Sequence, residues 1–120
     1  MKKIMVIDDV AENRDIFTTL LEDQYQVIEA ADGSQGLELA EKEIPDLMFL
    51  DVSMPGMSGL EFIECLRRHS DLYHIPVIAI TAHSVFSAKK AVVKGCNDYL
   101  LKPLTPKKIL QKIEEWIEQP

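Results

Sequence analysis

The hydrophobic pattern along the chain changes period repeatedly. Solid apolar runs stand at Ile4–Ile7, Leu47–Leu50 and Pro76–Ile80, with shorter ones at Val27–Ile28 and Tyr99–Leu101. Continuous rather than alternating runs predict strands covered on both faces, as in a parallel sheet. Between them, apolar residues recur at helical spacing. Ile16, Phe17, Leu20 and Leu21 form a first stripe; Leu37, Ala40 and Ile44 mark a second; Leu60, Ile63 and Leu66 line a third. The segment Ser84–Lys94 is a weaker fourth, with Ala88, Ala91 and Val92 inward. Ile109, Leu110, Ile113, Trp116 and Ile117 make the fifth. Ser58 as a cap, Thr105 before Pro106 and Gly95 after the fourth helix punctuate these limits. Five strands alternating with five helices predict an α/β fold, an open doubly wound parallel sheet with helices on both faces.

Composition narrows the possibilities. A length of 120 residues is that of one domain, and residues 1–120 are expected to form it with no further domain. Thirteen basic against twenty acidic residues give a net charge of -7, which disfavours direct nucleic-acid binding. Cys65 and Cys96 belong to no metal-ligand or Cys-x-x-Cys pattern, so reduced thiols in a cytoplasmic protein are expected. The apolar run after Met1-Lys2-Lys3 is four residues long and ends in two aspartates, too short for an export signal of about 7–15. No stretch approaches the roughly 18 apolar residues of a membrane span, and no membrane insertion is expected.

In a doubly wound sheet, chemistry gathers at the carboxyl ends of the strands. Here those ends read Asp8-Asp9, Asp51, Thr81 and Lys102-Pro103. If strands one and three are neighbours, the three aspartates lie together and demand a cation. Mg²⁺ (or Mn²⁺) suits such a site, because it takes one or two carboxylates and fills its shell with waters and phosphate oxygens. An aspartate at the end of a core strand, facing a metal and a lysine, can attack phosphorus and form an acyl phosphate. Lys102 would balance the phosphoryl charge and Thr81 would donate a hydroxyl. Singly, each element has an ordinary reading: Asp-Asp as a helix cap, Lys-Pro as a turn, Thr as a strand end. Their joint placement on four strand ends carries the assignment.

The series Val6-Ile7-Asp8-Asp9, Leu50-Asp51-Val52-Ser53-Met54-Pro55-Gly56, Ile80-Thr81-Ala82 and Asp98-Tyr99-Leu100-Leu101-Lys102-Pro103 resembles the receiver domain of two-component response regulators, the CheY-like single-domain type, across essentially the whole chain. The resemblance implies the flavodoxin-like strand order 2-1-3-4-5. It makes Asp51 the phosphoacceptor, with Asp8, Asp9, Asp51 and the backbone carbonyl of Ser53 holding the metal. Thr81 and Tyr99 become the switch residues, and the Lys102–Pro103 bond is expected to be cis. Ser53 and His83, two places beyond the phosphoacceptor and the switch threonine, would tune phosphoryl lifetime, His83 as a group titrating near neutrality.

The implied function is a phosphorylation-activated signalling switch rather than an enzyme. A sensor histidine kinase or histidine phosphotransfer protein would donate the phosphoryl group. Output would be a conformational change read by a protein partner, or onward phosphorelay. Val85, Phe86, Lys89, Lys90 and Lys107 are candidate readout residues; His69 and His74 have no ligand spacing and read as surface residues. The alternative within the class is a receiver excised from a longer hybrid kinase or DNA-binding response regulator, for which Pro120 just after the last helix is what trimming would leave. A flavin or nucleotide binder would need a phosphate cradle after strand one, where Asp8-Asp9-Val10-Ala11-Glu12 is anionic. A haloacid-dehalogenase-type phosphatase wants a second aspartate where this chain has Ser53. A receiver that never takes phosphate is opposed by the complete Asp, Thr and Lys set.

Overall fold

The computed structural model describes residues 1–52, 59–82, 89–92 and 94–117. In chain order the elements are β1 (Lys3–Ile7), α1 (Ala11–Leu21), β2 (Gln26–Ala30), α2 (Gly33–Glu43), β3 (Leu47–Asp51), α3 (Gly59–Arg68) and β4 (Val77–Thr81). A helical segment at 89–92 (α4), β5 (Asp98–Leu101) and α5 (Pro106–Trp116) complete them. The strands form one parallel sheet in the order β2-β1-β3-β4-β5. The expected architecture and order therefore hold. No helix among the described residues is long and apolar enough to cross a membrane.

The solid apolar runs are explained by two cores, one on each side of the sheet. Met5, Ile7, Met48, Leu50, Val77 and Ala79 pack with Phe62, Ile63 and Leu66 of α3 and with Ala40 of α2. Ile4, Val6, Leu47, Phe49, Ile78 and Ile80 pack with Phe17 and Leu21 of α1 and with Ile109 and Ile113 of α5. The pleat sends alternate residues to opposite faces, so every position of β3 is buried and none can be polar until the strand ends. Phe17 and Phe49 meet with ring centroids 4.9 Å apart.

Four residues placed on inner stripes are exposed instead. Ile16, Leu110 and Val92 sit on the solvent side of their helices, each adjacent in sequence to the residue that packs inward (Phe17, Ile109, Ala91). A 100° step per residue carries one of two neighbouring apolar residues off a narrow contact line. Ile16 lines a groove with Leu20 and Pro106 between α1 and α5. Ile44 closes α2 as its C-cap with φ 46°, which turns its side chain outward. The caps at Thr105, which accepts from the N–H of Lys108, and at Gly95 stand as expected. At Gly95 (φ 128°) the N–H donates to Val92 and the N–H of Cys96 to Ala91, the paired bonds of a glycine-terminated helix. Ser58 and Ala88 lie outside the described residues.

Loops at the amino end of the sheet are closed by one side chain that no sequence pattern announces. Arg67, in the last turn of α3, donates to the carbonyls of Gly95 (2.9 Å), Tyr73 (2.9 Å) and Ile75 (2.7 Å) and to Oδ1 of Asn97 (2.7 Å). Asn97 Oδ1 also accepts from the N–H of Val77 at the start of β4. The guanidinium thus ties α3, the end of α4 and the starts of two strands together.

Candidate phosphoacceptor site

Strand register builds the site. Ile7 of β1 stands opposite Leu50 of β3, so the residues that follow, Asp8 and Asp51, emerge level with each other. Asp51 faces Ile80 across the β3–β4 ladder, and Thr81 faces Leu101 across β4–β5. Pleat parity then sorts the side chains. Asp8, Asp51 and Lys102 share the parity of Val6, Phe49 and Leu100, the face covered by α1 and α5, while Thr81 shares the parity of Ala79, the face covered by α2 and α3. Asp8, Asp51 and Thr81 are the buried polar side chains among the described residues.

The carboxylates of Asp8, Asp9 and Asp51 offer oxygens that all lie within 4.8 Å of one another. Lys102 Nζ reaches Asp51 Oδ2 at 3.4 Å. Neither aspartate after β1 caps the following helix: the N-cap of α1 is Val10, with no side-chain cap hydrogen bond, which removes the ordinary reading of that pair. Asp8 accepts the N–H of Val10 on Oδ1 (2.9 Å) and the amide of Asn13 on Oδ2 (3.2 Å). Burial raises its pKa above the usual carboxylate value; the Val10 hydrogen bond opposes this, and the nearby Asp51 charge adds to it. Three carboxylates against one lysine leave an excess of negative charge in a partly desolvated place, and all the donor atoms are hard oxygens. That donor set fits a small divalent cation.

Tyr99 is half-buried on β5 and packs against the α2–α3 core. The Lys102–Pro103 bond is cis. Lys89, Lys90 and Lys107 are exposed. His74 is exposed, and half-buried His69 lies 3.9 Å from Glu41. Cys65 and Cys96 are free, Cys65 exposed and Cys96 buried beside Arg67, where burial pushes its thiol up to about 12. Ser53, His83, Val85 and Phe86 lie outside the described residues.

The response regulator receiver domain family model matches residues 4–114. The chain belongs to that family. This receiver domain is 32% identical over 118 residues to the polar-differentiation response regulator DivK of Brucella anthropi, covering 97% of this chain and 96% of that protein. The same protein of Brucella ovis matches equally. Among solved structures, the chemotaxis protein CheY4 of Vibrio cholerae superposes with a TM-score of 0.91 at 30% identity, over 98% of this chain and 99% of that one. The receiver domain of the sensor histidine kinase PA1611 of Pseudomonas aeruginosa superposes at 0.89 with 26% identity over 98% of each chain, and it holds a magnesium ion in its active-site cleft.

Two residues of the receiver site went unnoticed in the sequence. Asn13 holds the Asp8 carboxylate, and Arg14 donates to the Asp8 carbonyl at 2.6 Å while pairing with Glu29 of β2 at 3.0 Å. The available signal was their position. Both lie in the first turns of the helix that follows Asp8-Asp9, where side chains can fold back onto the strand end.

Proposed function

We propose that this receiver domain accepts a phosphoryl group on Asp51 from a phosphohistidine and passes the event on as a change of shape. The observation that carries the proposal is the trio of carboxylates within 4.8 Å with Lys102 3.4 Å from Asp51, at the carboxyl ends of β1, β3 and β5. An Asp51 oxygen attacks phosphorus as the bond from phosphorus to the imidazole nitrogen breaks. The imidazole leaves with that electron pair and takes a proton, and the product is an acyl phosphate on Asp51. Lys102 sits where negative charge gathers on the phosphoryl oxygens and offsets it. Asp8, Asp9, Asp51 and the carbonyl of Ser53 would hold Mg²⁺ (or Mn²⁺), which when bound neutralises the carboxylates and the incoming phosphoryl oxygens.

Thr81, buried at the end of β4 beside Asp51, is the hydroxyl that would follow the new phosphoryl oxygens. Its movement would make room for the half-buried ring of Tyr99 and shift the equilibrium between two arrangements of the surface around α4, β5 and α5. Ser53 and His83 would set the lifetime of the acyl phosphate. The donors fitted to this chemistry are a sensor histidine kinase or a histidine phosphotransfer protein in the cytoplasm, and the output is a protein partner or onward phosphorelay. The domain acts as a switch, promoting only its own phosphorylation and dephosphorylation.

The test is direct. Incubated with phosphoramidate and Mg²⁺, the protein should gain one phosphoryl group by intact mass, and Asp51→Asn should gain none. An adduct that survives Asp51→Asn, or no adduct on the wild type, refutes the proposal.

A further inference from the structure

We propose that Asn13 is a positioning residue that makes the acidic pocket prefer Mg²⁺ over larger divalent cations, an inference that rests on the cation reading above. Asp8 is held from three directions. The Val10 N–H fixes Oδ1 at 2.9 Å, the Asn13 amide fixes Oδ2 at 3.2 Å, and Arg14 grips the backbone carbonyl at 2.6 Å. Arg14 is itself anchored: Glu29 accepts from its Nε at 3.0 Å and from Thr18 Oγ1 at 3.0 Å. The strand end and the root of the Asp8 side chain are therefore set by backbone and by Arg14. What remains is rotation of the carboxylate plane about Cβ–Cγ. One hydrogen bond on Oδ1 leaves that rotation soft, and a second on Oδ2 locks it.

A carboxylate oxygen has two lone pairs, so each Asp8 oxygen keeps one for a cation after these bonds are made. Asn13 also lines the cleft of about 240 Å³ that Asp8 shares with Lys102, Pro103 and Leu104, so its amide stands beside the pocket without being one of its charged ligands. The selectivity follows from coordination chemistry. Mg²⁺ demands near-ideal octahedral geometry at short distances, while Ca²⁺ accepts varied ligand numbers and angles. A carboxylate locked in one plane serves Mg²⁺; a loose one penalises Mg²⁺ and is tolerated by Ca²⁺. Asn13 is neutral, so its removal leaves the formal charge of the pocket unchanged and cannot weaken all cations through charge alone. Partners that orient a metal ligand typically contribute about 10–100-fold to metal affinity.

The experiment is calorimetric titration of Mg²⁺ and, separately, Ca²⁺ into the full chain as wild type, Asn13→Ala and Asn13→Ser. Serine keeps a polar group there but is too short to reach Asp8 Oδ2. Urea unfolding in metal-free buffer is followed alongside. Mg²⁺ affinity is expected to fall about 10-fold or more in both variants. Ca²⁺ affinity should fall much less, and both variants should still unfold cooperatively in metal-free urea, which shows that they are folded. Equal weakening of both ions, or no weakening of either, overturns the positioning role. A wild type that shows no saturable Mg²⁺ binding overturns the cation reading itself, so the two failures are told apart.

Discussion

Replacing Asp8 by asparagine keeps the shape of the side chain and removes one of three neighbouring negative charges. Carboxylate oxygens within 4.8 Å of one another repel by at least about 3.5 kcal/mol at an effective dielectric constant near 20. Lys102, at 3.4 Å from Asp51, cancels part of the field that Asp8 feels. The new amide can still accept from the Val10 N–H, while Asn13 must turn its own amide to present oxygen instead of nitrogen. The net expectation is that Asp8→Asn stabilises the metal-free protein by about 1–2 kcal/mol, roughly 4–8 °C in Tm. The pH dependence has a definite sign. Because burial raises the Asp8 pKa above 3.8, its contribution to stability is fully present below that value and is lost as pH rises through the folded pKa. The advantage of the variant should therefore be largest near neutral pH and vanish in acid. The assay is urea or thermal unfolding by circular dichroism in EDTA at both pH values, repeated with Mg²⁺, where wild type should gain more than the variant. A variant less stable than wild type in EDTA near neutrality, or a difference that ignores pH, would refute the reasoning.

Other perturbations read different parts of the molecule. Gly95→Ala places a Cβ 2.8 Å from Ile63 Cγ2 at a φ of 128° that other residues rarely adopt, and should cost about 1–3 kcal/mol in urea unfolding. An unchanged midpoint would mean the α4 end is not held as described. Arg67→Ala strips the side-chain donor from three loop carbonyls and leaves Asn97 Oδ1 with the Val77 N–H alone, and is expected to destabilise by about 2–4 kcal/mol, with Arg67→Lys recovering only part because an ammonium lacks the planar fork. Full recovery by lysine would contradict the geometry. Asp98 accepts from Lys112 at 2.7 Å and from Trp116 Nε1 at 3.1 Å. Burial alone would raise its pKa, but those hydrogen bonds prevail and lower it below 3.8. Its stabilising contribution is thus present above 3.8 and lost as pH falls through the depressed folded pKa. Trp116 emission should shift over that acid range in wild type and lack the transition in Asp98→Ala; an identical acid transition in both would sever the link.

Strands and site were legible in the sequence for the same reason. A parallel strand buried on both faces tolerates no polar residue, so Leu47-Met48-Phe49-Leu50 announces β3 and Asp51 announces its end. The pairing of β1 with β3 then had to bring Asp8 and Asp51 together. Helix faces were less legible: Phe17 and Ile16 carry equal apolar weight in the pattern, and only the packed sheet decides that the first is buried and the second exposed. The contacts of Arg67, Arg14 and Asn13 were not legible at all. Each depends on where a long or flexible side chain finds a carbonyl or carboxylate from another part of the chain, and no periodicity records that. Asp98 is a similar case, since its two partners lie 14 and 18 residues further along.

That Asp8, Asp51, Thr81 and Lys102 all stand at strand ends has a consequence for how such domains diverge. Their spacing is set by the backbone ladder, and the exposed positions of α1, α2, α3 and α5 lie on the sides of those helices turned away from the two cores. Those outward positions can be rewritten residue by residue without moving the reactive atoms, which accords with a superposition of 0.91 against a chain sharing only 30% of its residues. Under the function proposed above, partner recognition and phosphoryl chemistry would occupy separable surfaces, and a new pairing with a donor or a target would need helix-face substitutions alone.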